Sequence, residues 1–119
     1  MTFAIAANEK WTADYSLSID GAVAGMKFSV SGPSSVALFK MVVQGTTTLN
    51  LYAVDVINSL STNTIAFDTS AATNNGFVRI SLSVINGANS GTINLLFASA
   101  TNNQTNKILQ GSYFTARKL

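Results

Sequence analysis

Hydrophobic and polar residues alternate with a period of two along much of the chain, which is typical of β-strands with one buried face. The alternation is clearest at positions 77–85. The apolar residues of this stretch, which we predict to form one wall of the core, are Val78, Ile80, Leu82 and Val84. A second stretch has the same period, with its apolar residues at Trp11, Ala13, Tyr15, Leu17 and Ile19. Shorter stretches at 26–30 and 92–99 follow the same pattern.

Two further segments, 36–43 and 49–57, are more continuously apolar. Such runs predict strands that are covered on both faces. Short strands are predicted near the end of the chain, at 107–109 and 112–117, on either side of a Gln-Gly turn. Turn-forming residues separate all of these segments, and none has the periodicity of an amphipathic helix.

About eight short strands spaced by turns predict an all-β fold, an antiparallel jelly roll or β-sandwich. The 119 residues form one domain, 1–119, because this length suffices for one two-layer core. Residues 59–75 are rich in Ser, Thr, Asn and Ala, which predicts a long exposed connection. Within that connection, residues 65–67 are a weak strand candidate.

Charged residues make up only 10% of the chain, against about 25% in a typical soluble domain. Hydrophobic residues make up 47%, and the mean hydropathy is +0.30. Some apolar surface must therefore be covered by something outside this fold, which predicts a homo-oligomer. No apolar run reaches the roughly 20 residues of a membrane span, and no basic signal-peptide region opens the chain. We expect a soluble protein made in the cytoplasm, without a membrane partner.

The net charge of +2 comes from seven Lys and Arg set against five Asp and Glu. These residues are spread along the chain except for Arg117 and Lys118 at its end. Nucleic-acid-binding proteins usually concentrate their basic residues on one face. The sequence shows no such cluster, so we expect no nucleic-acid partner.

Histidine and cysteine are absent, which excludes thiol nucleophiles, Ser-His triads and the commonest metal ligands. Asp14 and Asp20 share one strand face, but it is the polar face, so we interpret them as solvated residues rather than a catalytic dyad. Gly87 and Gly91 are turn glycines, because no Lys or helix follows to hold phosphate. The glycosylation triplet at 103–105 carries no weight in an Asn- and Thr-rich chain. We therefore predict no catalytic residue, no cofactor and no metal site.

Four aromatic residues could line a sugar-binding surface: Trp11, Tyr15, Tyr52 and Tyr113. Packing in the core or at a subunit contact is the interpretation that we favour, because aromatic side chains are common in both places. Arg79 is the one charge in the clearest strand. We predict for it an ion pair across strands or between subunits rather than a ligand.

Several segments resemble a module of tailed-bacteriophage virion proteins. Residues 3–11, FAIAANEKW, resemble its opening FAVAANEVW, and residues 26–33, MKFSVSGP, resemble its IKFAFTGP segment. Residues 84–95, VINGANSGTINL, and 111–119, GSYFTARKL, are similar to its NGATAGTVQLQWAQ and closing AGSYLVARRL. The resemblance implies a jelly roll, often trimeric, that serves as the head of a tail fibre or decorates the capsid. Residues 60–75 have no counterpart, so no receptor contact carries over there.

A fibre head normally follows a shaft, and here the opening motif begins at Thr2, which favours a capsid decoration, or cement, protein. We expect a homotrimer on the exterior of the virion that binds the major capsid protein and stabilises the shell. The termini, with Arg117 and Lys118, are the candidate capsid contacts, with a solvated tail as the alternative. Two other functions stay open: a receptor-binding head of a tail fibre or spike, and a lectin-like module. A host-surface glycan would be the partner only in those cases.

Overall fold

A computed structural model describes residues 1–20, 26–46, 52–57, 65–67, 76–99 and 106–119. Within these residues the chain forms ten β-strands: β1 (Thr2–Ile5), β2 (Lys10–Asp20), β3 (Met26–Ser31), β4 (Leu38–Thr46), β5 (Tyr52–Ile57), β6 (Ile65–Phe67), β7 (Gly76–Ile85), β8 (Gly91–Ser99), β9 (Lys107–Ile108) and β10 (Tyr113–Lys118). The alternating segments of the sequence coincide with β2, β3, β7 and β8. The prediction of strands from the period of two is confirmed for all four.

The strands form two antiparallel sheets. The four-stranded sheet has the order β1-β8-β3-β6, and the six-stranded sheet has the order β10-β2-β7-β4-β5, with β9 also paired to β2. The predicted all-β, antiparallel β-sandwich is thereby confirmed. The described strands number ten rather than about eight, because β1 forms without having been predicted and the weak candidate at 65–67 is a strand, β6.

The core lies between the two sheets and depends on the central position of β7. This strand pairs with β2 on one side and with β4 on the other, and its residues Val78, Ile80, Leu82 and Val84 are all buried. Each buried large apolar side chain of this kind stabilises the fold by about 1.5–3 kcal/mol. The predicted core wall is confirmed.

In the single chain, the part of the apolar run 36–43 that lies in β4 is covered on just one of its two faces. Phe39, Met41 and Val43 are buried, whereas Leu38 is 50% exposed and Lys40 is exposed. The prediction that both faces of this run are covered is therefore wrong for the isolated subunit. The side chains of β5, and the connection 59–75 apart from the backbone of β6, lie outside the described part of the chain.

Candidate functional site

Three loops meet at one end of the sandwich, which we call the loop end. They are residues 6–9 between β1 and β2, residues 32–37 between β3 and β4, and residues 86–90 between β7 and β8. The amide of Asn8 donates a 2.8 Å hydrogen bond to the carbonyl of Gly87. Each loop lies at least partly in a segment of the phage-module resemblance, so the fold brings these distant segments into contact.

Asn86 is the one buried polar side chain among the described residues, with 2% of its surface exposed. Its Nδ2 donates to the carbonyl oxygens of Ala6 at 2.8 Å and Asn89 at 2.7 Å. Its backbone amide donates to the carbonyl of Glu9 at 2.8 Å. A buried amide with these partners fixes the loop 86–90 against the loop that precedes β2.

Gly87 allows the closest approach at the loop end. A Cβ atom at this position would lie 2.0 Å from the carbonyl oxygen of Ser35. The Oγ of Ser35 accepts a 2.9 Å hydrogen bond from the amide of Asn89. At Gly91, the first residue of β8, an added Cβ would lie 2.9 Å from Cγ of Pro33. Gly87 is therefore required for packing between loops, in addition to its predicted role in the turn. Gly91 was also predicted as a turn glycine, but it begins β8 and packs against Pro33.

The side chain of Glu9 binds Lys118 of β10 at the loop end. Its Oε2 accepts hydrogen bonds from the amide of Ala6 at 2.8 Å and from Nε1 of Trp11 at 2.9 Å. Its Oε1 accepts a hydrogen bond from Nζ of Lys118, and the two groups form an ion pair. The Lys118 hydrogen bond, followed by those of Ala6 and Trp11, lowers the pKa of the Glu9 carboxyl from its ordinary 4.5 to about 2. The sequence reasoning gave Glu9 no role, although it stands in the resembling segment FAIAANEKW.

The two candidate capsid contacts have different environments in the structure. The ammonium group of Lys118 forms an ion pair with Glu9 of the same chain. Arg117 is exposed on β10, opposite Thr12 of β2, and has no ion pair with a described residue. Both ends of the chain are paired strands, β1 with β8 and β10 with β2, so a contact made by Arg117 would come from a sheet face.

The two acidic residues of β2 have different neighbours in the sheet. Asp14 accepts a 2.7 Å hydrogen bond from Oγ of Ser81, and its Oδ1 lies 3.9 Å from Nη2 of Arg79. The predicted cross-strand ion pair of Arg79 is confirmed, and at this half-exposed site it contributes at most about 1 kcal/mol. Asp20 is paired in register with Lys107 of β9.

Of the four aromatic candidates, two pack inside the molecule. Trp11 lies 5.3 Å from the ring of Phe3, and the buried ring of Tyr15 stacks on Phe114 at 5.2 Å. Burial raises the pKa of the Tyr15 hydroxyl to about 12. Tyr113 is 62% exposed, and the side chain of Tyr52 lies outside the described residues. The packing interpretation is confirmed for Trp11 and Tyr15 and not for Tyr113.

The outer face of the six-stranded sheet collects cations that are dispersed in the sequence. Their positions lie on the side of the sheet opposite the core, and they are Lys10, Lys40, Arg79, Lys107 and Arg117. Asp14 and Asp20 of β2 lie on the same face. The expectation that the basic residues do not cluster is therefore wrong at the level of the fold. Strand pairing places residues that are far apart in the chain side by side.

Within the described ranges, no group of three or more His, Cys, Asp or Glu side chains is close enough to hold a metal ion. The same residues include no helix with the length and apolar character of a membrane span. Among the described residues, the site with the most specific geometry is the loop end, where hydrogen bonds position the backbone and an ion pair joins Glu9 and Lys118.

Comparison with known proteins identifies no relative of this chain. The chain matches no protein-family model, and neither a curated protein nor a solved structure matches it significantly. The likeness to the phage module therefore rests on the four sequence segments alone.

Proposed function

We propose that this chain is a structural module of a bacteriophage virion. As a capsid decoration, or cement, protein it binds the outer capsid lattice as a homotrimer and stabilises the shell. The observation that carries the proposal is the convergence at the loop end of the segments 3–11, 26–33, 84–95 and 111–119. Residues of these segments contact one another across the fold, so the resemblance covers the residues that determine this end of the molecule.

The path of the chain supports a jelly roll as the finer description of the sandwich. The strands pair in a nested series, β1 with β8, β2 with β7, β3 with β6 and β4 with β5. Such nesting is expected when one long antiparallel ribbon folds over on itself into two sheets. Double-sheet jelly rolls of eight strands occur in viral capsid proteins.

The outer face of the four-stranded sheet supports self-association. Lys27 is its one charged residue among those described, and Leu96 is 48% exposed on it. The other outward residues of this face are Thr2, Ala4, Ser29, Ser31, Thr92, Asn94 and Ala98. Burying such a face against other copies removes little charge from water, and closed symmetry is the usual way to do so.

The stabilising effect follows from mass action. A protein that binds the assembled shell and not the disrupted one stabilises the shell by about 2.7 kcal/mol per site when its free concentration is about 100 times its Kd. Three linked binding surfaces raise the effective concentration of each, so weak single contacts are sufficient. No bond is made or broken in this function, and binding area is the means of action.

The proposal is tested with shells prepared without this protein. Adding the purified protein back should produce binding and raise the temperature at which the shells are disrupted on heating. Failure to bind, or binding without a rise in that temperature, would contradict the decoration function.

One observation favours the alternative, a receptor-binding head of a tail fibre or spike that contacts a host-surface glycan. Tyr113 is exposed on the outer face of the six-stranded sheet, where an aromatic ring could stack on a sugar. Purified protein that adheres to host cells, with adhesion lost in Tyr113→Phe and Tyr113→Ala to different degrees, would favour this function over capsid decoration.

A further inference from the structure

We propose that one end of the outer face of the six-stranded sheet is a docking surface for an acidic protein surface. This surface, the basic patch, consists of Lys10, Lys40 and Arg117 together with Leu38 and Leu119. That the acidic partner is the capsid shell rests on the function proposed above.

Strand register places the members of the basic patch side by side. Arg117 of β10 is opposite Thr12 of β2, which is opposite Ser83 of β7, which in turn is opposite Lys40 of β4. Neighbouring strands lie about 4.8 Å apart, so the Cα atoms of Arg117 and Lys40 are roughly 14 Å apart across four strands. The patch is therefore wide enough to bind the surface of a folded protein rather than a single ion.

The next row toward the loop end adds the third cation and the apolar residues. Lys10 is opposite Ile85, which is opposite Leu38 of β4. The amide of Leu119 donates a 2.8 Å hydrogen bond to the carbonyl of Lys10, so the terminal residue extends the same row. Leu38 and Leu119 are 50% and 65% exposed.

The charge of the basic patch is not neutralised by the described part of the chain. No Asp or Glu side chain lies in its two rows. Glu9 is held by Lys118, and Asp14 is held by Ser81 and Arg79. Lys10, Lys40 and Arg117 form no ion pair with any described residue, so a partner with carboxylates on its surface is the complementary chemistry.

The composition of the patch favours a protein over a nucleic acid as the partner. Exposed leucines flank the cations, and the buried centre of a protein–protein interface is more apolar than the rest of the surface, with arginine enriched. Nucleic-acid interfaces are more polar and much more positively charged than this patch of three cations. The contact residues proposed here differ from those expected from the sequence. Arg117 remains a candidate contact, Lys118 is no longer one, and Lys10 and Lys40 are new candidates.

The first test maps binding of a simple acidic probe by NMR. Uniformly ¹⁵N-labelled protein is titrated with an octaglutamate peptide and, separately, with duplex DNA of equal total charge. With the peptide, we expect salt-sensitive shifts of the amides of Lys10, Thr12, Lys40, Ser83 and Arg117. Absence of these shifts, or tighter binding of DNA at the same residues, would overturn the proposal.

Charge reversal supplies the matched comparison. The double variant Lys40→Glu/Arg117→Glu should weaken peptide binding by about tenfold or more, whereas Lys27→Glu on the outer face of the four-stranded sheet should leave it unchanged. All three positions lie on outer sheet faces, and the remaining amide spectrum reports whether the fold is kept. Equal effects of the two charge reversals would overturn the proposal.

The same variants separate the basic patch from the decoration function. If wild-type protein binds the depleted shells and the double variant binds them equally well, the patch is not the docking surface, although the decoration function stands. If wild-type protein fails to bind shells but binds the peptide at the patch, the decoration function fails and the docking surface stands for another acidic protein.

Discussion

Glu9 shows at the scale of single residues how the fold closes at the loop end. Its carboxylate accepts hydrogen bonds from a backbone amide, an indole and an ammonium group that belong to two different strands and a loop. Its side chain is 18% exposed, so these bonds are partly shielded from water. The charged form of Glu9 is therefore the form that the folded state stabilises.

Glu9 makes stability depend on pH. Its pKa is about 2 in the folded protein and near 4.5 when unperturbed, so the unfolded state binds more protons between these values. The contribution of Glu9 is fully present above pH about 4.5 and is lost as pH falls through about 2. In urea denaturation, Glu9→Gln should be less stable than wild type at pH 7, and the difference should shrink as the pH falls from about 4.5 to 2. Asp20→Asn, at the far end of β2, is the control. A difference in stability that does not change with pH would contradict the role of Glu9.

Asn86 should be required for stability although no reaction involves it. Asn86→Ala leaves the carbonyl oxygens of Ala6 and Asn89 without their buried donor, which should lower the free energy of unfolding by about 1–3 kcal/mol. Asn94→Ala is the control, because Asn94 lies on the outer face of β8 with a single 3.2 Å bond to Ser31. Chemical denaturation of both variants measures the difference, and equal losses would show that the loop end does not depend on Asn86.

At the scale of elements, the central strand β7 links the core to the proposed docking face. Its inward residues form the core wall, and its outward residues Arg79, Ser81 and Ser83 lie between the cations of β2, β4 and β10. One strand thus contributes side chains both to the core of the sandwich and to its outer face. Charged substitutions should destabilise the fold on the inward face and leave it folded on the outward face.

Leu82→Asp tests the inward face of β7. Leu82 is 2% exposed and lies opposite Ala13 and Met41, so an aspartate there would be a buried, unpaired charge. The cost should be several kcal/mol, about the whole stability of a small domain. Ser83→Asp, one residue along on the exposed face, should remain folded and soluble. Circular dichroism and solubility of the two variants make the comparison, and a folded Leu82→Asp protein would contradict the assigned faces.

At the scale of the whole molecule, the two outer sheet faces differ in charge. The described residues of the six-stranded sheet present five cations and the carboxylates of Asp14 and Asp20 on theirs, whereas Lys27 is the one charged residue described on the face of the four-stranded sheet. This asymmetry supports a division of tasks in which the nearly uncharged face contacts other copies and the basic face contacts an acidic partner. We therefore assign the contact of the proposed homotrimer to one particular face.

Light scattering should give a mass of about three times the 12.5 kDa of one chain at micromolar concentration. Leu96→Asp, on the outer face of the four-stranded sheet, should reduce the particle to single chains because it places a charge in the apolar contact. Phe77→Asp is the matched control, because Phe77 is equally exposed but lies on the six-stranded sheet. A wild-type monomer, or dissociation by Phe77→Asp alone, would contradict this assignment.

The sequence by itself determined the strands with a strong period of two and the faces that they bury. Side-chain direction alternates along any extended backbone, so the core wall of β7 and the inward face of β2 follow from local geometry. The strands β1 and β6 have only four and three residues. Their alternation is too short to identify a strand from the sequence. They are strands because β1 pairs with β8 and β6 pairs with β3.

Only the tertiary structure decided which distant residues become neighbours. Glu9 and Lys118 are 109 positions apart, and Arg117 and Lys40 join one row only through the register of four strands. Sheet order and register depend on how all the apolar faces close around one core, which no local pattern encodes. For this reason the positions of the basic residues along the sequence predicted dispersed charge, whereas the folded chain brings three of them into the basic patch.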